Sequence, residues 1–259
     1  IKEGNSWEEI RCTSPSFSAS TSPAWVEGQG AMTTATVREE DDYVFDSTAV
    51  DRGVQVNGKL ALCEGTFSPR MARDLEDMEE IGIVMINPGD RIHESNCSTV
   101  WGTPTLENMN RLPGIPVVSI KRPDGDRLIK KLNTGGVDLR IRTEMDVGWR
   151  RCPMPVAEIR GADEPDSFVL VHGHLDGWYY GVCDNGTGNA TLLELARVLY
   201  GALEGLGRSF RIAWSPGHSH GRYAGSTWYA DQFAMDLEEH CVAQMNVDSP
   251  GAKWATSYN

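Results

Sequence analysis

The chain has 259 residues, of which 40% are hydrophobic, enough to bury the core of one large domain or two ordinary ones. Its 24 lysines and arginines stand against 37 aspartates and glutamates, a net charge of −13. Clustered basic residues drive phosphate binding, so this balance argues against nucleic acid and membrane partners. The apolar runs are strand-sized, and none has membrane-spanning length.

The six cysteines are far apart, and none forms a Cys-x-x-Cys pair. This spacing argues against a thiolate zinc site and against a compact disulfide scaffold. Scattered cysteines are more often buried thiols, which favours a reducing compartment such as the cytoplasm. The isoleucine start suggests that the natural N-terminus lies upstream or has been removed, so the absence of a targeting segment leaves the location open.

The first part of the chain changes character near residue 46. Residues 1–45 are rich in Ser, Thr and Gly and are expected to be irregular, with one or two strands, one of them near residues 31–37. Residues 46–147 alternate between strand and helix patterns, which predicts a smaller α/β module. Strands are predicted at 59–63, 81–87, 115–120 and 137–142, and helices from Pro69 to Met78 and at 124–132.

This module resembles the protease-associated domain. The resemblance rests on residues 58–62, on the apolar strand at 81–87 and on residues 114–120. It implies a module that shapes the substrate cleft of a peptidase and does no chemistry itself.

Residues 148–259 show a second, more regular alternation. Strands are predicted at 167–172, 209–214 and 241–247, and helices at 187–203 and 226–237. Strands separated by helices favour right-handed crossovers. The pattern therefore predicts a mostly parallel α/β sheet with helices on both of its faces.

Polar loops follow these strands, at the edge where open α/β sheets bind ligands. The loops supply His174, Asp184, a pair of histidines at 218 and 220, and Asp248. Each motif alone is typical of a turn or a helix cap. Their joint position predicts a metal site, because divalent ions take imidazole and carboxylate together.

The same residues carry a family resemblance. His174-Leu175-Asp176, Asp184-Asn185-Gly186-Thr187-Gly188, Gly225-Ser226 and Asn246-Val247-Asp248 resemble the co-catalytic zinc aminopeptidases. Trp178 and the preceding module favour the glutamate carboxypeptidase branch. The resemblance implies one or two divalent ions, with zinc expected first and manganese, iron or nickel as alternatives.

Residue by residue, the resemblance implies a role for each motif. His174 would bind one metal, Asp184 would bridge two, Asp248 would bind alongside His174, and Asp176 would orient His174. The expected reaction is attack of a metal-activated water on the carbonyl of a peptide or small amide substrate.

The sequence departs from the family after Trp214. The family places a Glu-Glu pair there, as general base and metal ligand, but this chain has no acidic residue between Trp214 and Asp231. Counting forward from Trp214 puts His218 at the ligand position, whereas counting back from Gly225 puts His220 there. Imidazole can replace the ligand, and the other histidine could act as the base. A neutral ligand in place of a carboxylate favours one metal over two, or a different metal.

Several expectations remain open. Arg222 and Tyr223 could bind a substrate carboxylate, or they could be a solvated arginine and a packed aromatic ring. The family's last metal ligand lies beyond Asp248, so we expect a missing C-terminal segment or a second chain to complete the domain; a homo-oligomer is also open. The leading hypothesis is a metal-dependent hydrolase of a C–N bond. The alternative is a catalytically inactive receptor or binding scaffold of the same superfamily.

Overall fold

The computed structural model describes residues 1–33, 35–37, 48–50, 57–65, 67–202 and 205–251. The chain divides into two compact units. Unit 1 comprises residues 1–100 and 104–149, and unit 2 comprises residues 101–103 and those from 150 onward. None of the described helices has both the length and the apolar character that crossing a membrane requires.

Unit 1 contains short strands and two α-helices. In chain order the strands are β1 (Lys2–Glu3), β2 (Ser6–Trp7), β3 (Val26–Met32), β4 (Ala35–Val37), β5 (Thr48–Val50), β6 (Leu60–Glu64), β7 (Gly82–Ile86), β8 (Val117–Ile120) and β9 (Asp138–Ile141). The helices are α1 (Pro69–Asp77) and α2 (Arg122–Gly135), with a 3-10 turn at Met109–Arg111.

The main sheet of unit 1 has the order β8-β7-β6-β3-β9. All its neighbours are parallel except β3 and β9. Apolar clusters lie on both of its faces, and every residue of β7 is buried, as its continuous apolar sequence predicts. Strand β3 lies inside this sheet, although residues 1–45 are predicted to be a separate, mostly irregular segment.

Glycines explain why the sequence gives little signal for β3. A Cβ atom at Gly30 would lie 2.8 Å from side-chain carbons of Leu62 and Val137. The close packing of β3 therefore requires a residue that periodicity analysis treats as a strand breaker. The protease-associated assignment of residues 46–147 stays a prediction.

Unit 2 contains the more regular second pattern. Its elements are β10 (Val156–Ile159), β11 (Glu164–His174), α3 (Gly188–Gly201), β12 (Arg208–Ser215), α4 (Ala224–Gln232), α5 (Ala234–His240) and β13 (Cys241–Asn246). The sheet order is β10-β12-β11-β13, and only β10 is antiparallel to its neighbour. Leu203, predicted in the first helix, lies outside the described residues.

Alternating residues of β11 and β12 pack on opposite faces of the sheet. Phe168 and Leu170 meet Tyr229 of α4, whereas Val171 meets Leu192 of α3. Helices therefore cover both faces, as the period of two in the strands and the amphipathic helix predict.

The predicted helix over residues 226–237 is two helices in the structure. The backbone of Phe233, with φ −114° and ψ 22°, separates α4 from α5. Its ring packs against Tyr229 at 4.9 Å between centroids. The apolar spacing continues across this break, which is why the sequence pattern does not reveal it.

The six cysteines are all free thiols, and Cys63 and Cys97 are buried. Burial raises the pKa of both thiols well above the ordinary value. The reducing compartment stays a prediction.

Candidate metal site

His174 ends β11 and is 3% exposed. Its Nδ1 donates to the main-chain carbonyl of Asp176 at 2.7 Å, which fixes the ring and its tautomer. Its Nε2 then faces Asp184 Oδ1 at 2.7 Å and Asp248 Oδ1 at 3.4 Å. An imidazole held at one nitrogen and open at the other has the orientation of a metal ligand.

The carboxylate of Asp176 acts differently from the sequence prediction. It accepts the N–H groups of His218 at 2.9 Å and Ser219 at 3.0 Å, whereas its Oδ1 is 3.9 Å from His174 Nδ1. The carbonyl of Asp176, rather than its carboxylate, therefore holds His174. One residue thus fixes two loops, because its carbonyl and carboxylate point to different neighbours.

His218 joins His174 in the site. Their rings are stacked, with centroids 4.0 Å apart and planes 14° apart. His220, in contrast, lies edge-on against Trp178 with centroids 4.4 Å apart. Of the two alignments that the sequence leaves open, the structure favours the one that counts forward from Trp214.

His174, His218 and Asp248 could hold one cation. Each offers a ligand atom, and all three atoms lie within 4.8 Å of one another. Ligand atoms bound tetrahedrally to zinc at roughly 2.0–2.1 Å are about 3.3 Å apart. The His174–Asp248 separation of 3.4 Å agrees with that spacing.

Asp184 supplies a second argument for a cation. Its Oδ1 is a buried atom 2.7 Å from His174 Nε2, a contact that is a hydrogen bond only when the ring is protonated, because Nδ1 already donates to Asp176. A buried carboxylate oxygen without a hydrogen bond is unfavourable unless a positive charge lies beside it. The donor set of imidazoles and carboxylates therefore fits a zinc-type ion.

The electrostatics of the site also reflect this excess of acid. Burial alone would lower the pKa of His174, but hydrogen bonding with Asp248 and the nearby carboxylates outweigh it and raise the pKa. The pKa of Asp248 is lowered, chiefly by the same hydrogen bond. Burial, followed by the charge of His174, lowers the pKa of His218.

Asn185 is a positioning residue that the sequence analysis does not single out. Its side chain is buried and donates to the carbonyls of His174 at 3.2 Å and Val247 at 2.9 Å. Its Oδ1 accepts the Ser249 N–H at 3.1 Å. It thereby ties three loops together. Its place next to Asp184, before a helix, was the available signal, although that motif is also typical of a turn.

A close approach behind Asn185 explains the glycine that opens α3. A Cβ atom at Gly188 would lie 2.0 Å from Asn185 Oδ1 and 2.7 Å from the Val247 carbonyl oxygen. Only glycine therefore lets α3 begin beside the last strand.

Arg222 and Tyr223 lie beside the histidine pair. Arg222 is 7% exposed, and its guanidinium lies 4.6 Å from the ring centroid of Trp101. The Tyr223 ring meets His218 edge-on and stacks on Trp101. Both residues have positive φ, 51° and 67°. Their predicted binding of a substrate carboxylate stays a prediction.

Known proteins are similar to parts of this chain. Residues 156–258 match the profile described as Peptidase family M28. Aminopeptidase NAALADL1 of Mus musculus is 41% identical over 116 residues, 44% of this chain and 16% of that protein. The glutamate carboxypeptidase 2 homolog of Caenorhabditis elegans is 29% identical over 189 residues, 68% of this chain and 23% of that protein.

A solved structure has the same fold. The zinc aminopeptidase BSAP from Bacillus subtilis superposes with a TM-score of 0.68 at 20% identity, covering 95% of this chain and 55% of that one. This likeness confirms the predicted α/β fold class. The chain spans less than a quarter of the two relatives named above, and about half of this structure.

In its fold and in its candidate metal cluster, unit 2 resembles a domain of the metallopeptidase class of hydrolases. More particularly, residues 156–258 match peptidase family M28, and the relatives named above are an aminopeptidase and a glutamate carboxypeptidase homolog. The predicted family resemblance is thus confirmed for this part of the chain.

Proposed function

We propose that the protein hydrolyses a C–N bond of a peptide or small amide with the help of one divalent cation. The convergence of His174, His218 and Asp248 carries this proposal, since their ligand atoms lie within 4.8 Å of one another. Zinc is the proposed ion, and manganese, iron and nickel are the alternatives. When bound, such an ion lowers the pKa of a water and polarises the substrate carbonyl.

One ion, rather than two, suits the charge of the site. His218 stands where the resemblance expects a carboxylate, so the cluster has one negative charge fewer than a two-metal site of that family. Two imidazoles with Asp184 and Asp248 balance a single dication. Asp184 would be a further carboxylate to hold this ion, because its Oδ1 lies 2.7 Å from His174 Nε2.

The remaining residues would position the reaction. Asp176 holds the His174 ring through its carbonyl and the main chain of His218 through its carboxylate. His218 belongs to the cluster, so we assign proton transfer to His220, the other imidazole of the loop. Its ring lies edge-on against Trp178.

Metal analysis of the purified protein tests this proposal directly. We expect close to one zinc-type ion per chain, together with hydrolysis of unmodified peptides. His174→Ala should lose the ion and at least 1,000-fold in kcat/KM, since the reaction depends on the metal. His93→Ala, a histidine change in unit 1, should retain both and serves as the matched control. Circular dichroism would verify that both variants fold.

The inactive scaffold is the second candidate, because the loop between Trp214 and Asp231 has no acidic residue. It predicts a metal-free protein whose melting temperature is unaffected by a chelator, and no turnover of any peptide. That pattern would overturn the hydrolase proposal. A completing segment or chain, and self-association, stay predictions about partners.

A further inference from the structure

A series of four rings leads from the candidate metal site to the surface of unit 2. His174 stacks on His218 with centroids 4.0 Å apart. His218 meets the Tyr223 ring edge-on at 4.6 Å, and Tyr223 stacks on Trp101 at 4.6 Å with planes 12° apart. Trp101 is 51% exposed. The outermost ring thus lies two ring contacts away from a candidate metal ligand.

The backbone around Trp101 is held tightly in place. The Gly102 N–H donates to the Arg222 carbonyl at 2.6 Å. A Cβ atom at Gly102 would lie 2.3 Å from Thr227 Oγ1, and its φ of +85° also favours glycine. The segment therefore fits closely against the start of α4, which fixes the position of the Trp101 ring relative to the loop that carries His218.

Tyr223 and the Arg222 guanidinium lie over the same face of the Trp101 ring. The Arg222 guanidinium lies 4.6 Å from the Trp101 centroid and 5.7 Å from the Tyr223 centroid. If Tyr223 and Arg222 lay on opposite faces of the indole, their separation would be about 9 Å, twice the usual stacking distance of about 4.5 Å. They therefore share one face, and neither of them lies on the other.

A fixed and half-exposed indole face beside a peptidase site suits an aromatic side chain. Rings attract each other at centroid separations of about 4.5–7 Å, and a rigid partner loses little conformational freedom on stacking. An extended peptide advances about 3.3–3.6 Å per residue, so two ring contacts correspond to about two or three residues.

We propose that Trp101, supported by Tyr223, determines specificity by stacking on an aromatic side chain two or three residues from the scissile bond of a peptide substrate. This inference rests on the proposed function, since it concerns the substrate of that same site. It assigns recognition to a residue distant in sequence from the catalytic motifs.

The test uses peptides that are identical except for Phe or Ala at a single position, scanned along both sides of the scissile bond. For wild-type protein we expect kcat/KM to favour Phe at one position by roughly 2- to 12-fold. Trp101→Ala should reduce this ratio to about one, whereas Trp101→Tyr should restore most of it. Trp228→Ala removes another exposed tryptophan of unit 2 and should leave the ratio unchanged.

A second measurement separates the hydrolase proposal from the specificity proposal. The same peptides carry a fluorescent label, and their affinity for the protein is measured in the presence of a chelator. If wild-type protein cleaves Ala peptides but shows no Phe preference, or keeps the preference in Trp101→Ala, the specificity proposal is wrong and the hydrolase stands. If nothing is cleaved but Phe peptides bind more tightly than Ala peptides in a Trp101-dependent way, the hydrolase proposal is wrong and the stacking site stands. If the peptides are neither cleaved nor bound, both proposals are wrong.

Discussion

The two units contain the same kind of structure, parallel strands in a sheet, but the ends of their strands differ. In unit 1, Glu64 at the end of β6 forms an ion pair with Arg122, and Asn87 after β7 accepts the main-chain N–H of His93. In unit 2, β11 ends at His174, whose Nε2 faces two carboxylates. The sheet therefore positions side chains in both units, and only unmet polar groups make such a position a binding site.

The acidic groups of the two units show the same contrast. Glu80 in unit 1 is 3% exposed, and neither carboxylate oxygen hydrogen bonds within the described residues. Burial raises the pKa of Glu80 to about 7. Asp248 in unit 2 lies beside His174, and the hydrogen bond between their side chains is the chief reason that the pKa of the Asp248 carboxyl is lowered. Opposite shifts thus follow from the presence or absence of an imidazole partner.

The largest expected effect is in the core of unit 1. Met85 is in the central region of the sheet and fully buried. Met85→Ala should lower the free energy of unfolding of unit 1 by about 2–5 kcal/mol, through lost apolar contacts and a cavity. Native-state hydrogen exchange of the β7 amides would measure it, and the metal content of unit 2 should not change. Unchanged exchange would contradict the burial of β7.

The titration of Glu80 should make the stability of unit 1 depend on pH. Its folded-state pKa of about 7 is above the ordinary value of 4.5, so folding favours the protonated form. The free energy of unfolding of wild type, compared with that of Glu80→Gln, should be highest below about pH 4.5. It should fall by about 3 kcal/mol in all as the pH rises through 7.

Chemical denaturation of both proteins from pH 4 to 9 would measure this difference. The exposed Glu144→Gln is the matched control and should follow wild type at every pH. Parallel curves for wild type and Glu80→Gln would mean that a partner compensates the Glu80 charge.

Asn185 tests how the site of unit 2 is held together. Asn185→Ala removes the hydrogen bonds to His174, Val247 and Ser249, so the ligands lose their fixed separation. We expect metal affinity to fall by about 10- to 100-fold, as for other groups that orient metal ligands. Competition with a chelating dye would measure this, with the exposed Asn110→Ala as control. Equal affinities would remove Asn185 from its positioning role.

The smallest effect is expected at the edge of the unit 2 sheet. Met245 of β13 is 59% exposed, so Met245→Ala should change stability by no more than about 0.5 kcal/mol. Met85→Ala makes the same chemical change at a buried position of the unit 1 sheet, so the two variants differ in burial. A loss above 1 kcal/mol would indicate that another segment or chain covers β13 in solution.

The elements with a strong local signal are the ones that the sequence predicts well. Continuous apolar runs predict β7 and β8, Pro69 marks the start of α1, and the polar loops predict where His174 and Asp248 converge. The signals are local, and they depend only on residue type and spacing.

The features that the sequence analysis does not recover depend on long-range contacts. Asp176 reaches the loop of His218 rather than the ring of His174, which spacing cannot reveal. The choice between His218 and His220 depends on how a longer loop folds. Trp101 is far from the catalytic motifs in sequence, so no period or motif connects it with Tyr223.

The left-handed backbone of Arg222 and Tyr223 also limits which sequences can replace this loop. Residues other than glycine, asparagine and aspartate are disfavoured at positive φ, and β-branched residues most of all. In a library of single variants, isoleucine or valine at either position should be depleted more strongly than asparagine, even though all of them lack the original side chain. Evolutionary drift at these positions would therefore follow backbone tolerance as much as the chemistry of recognition.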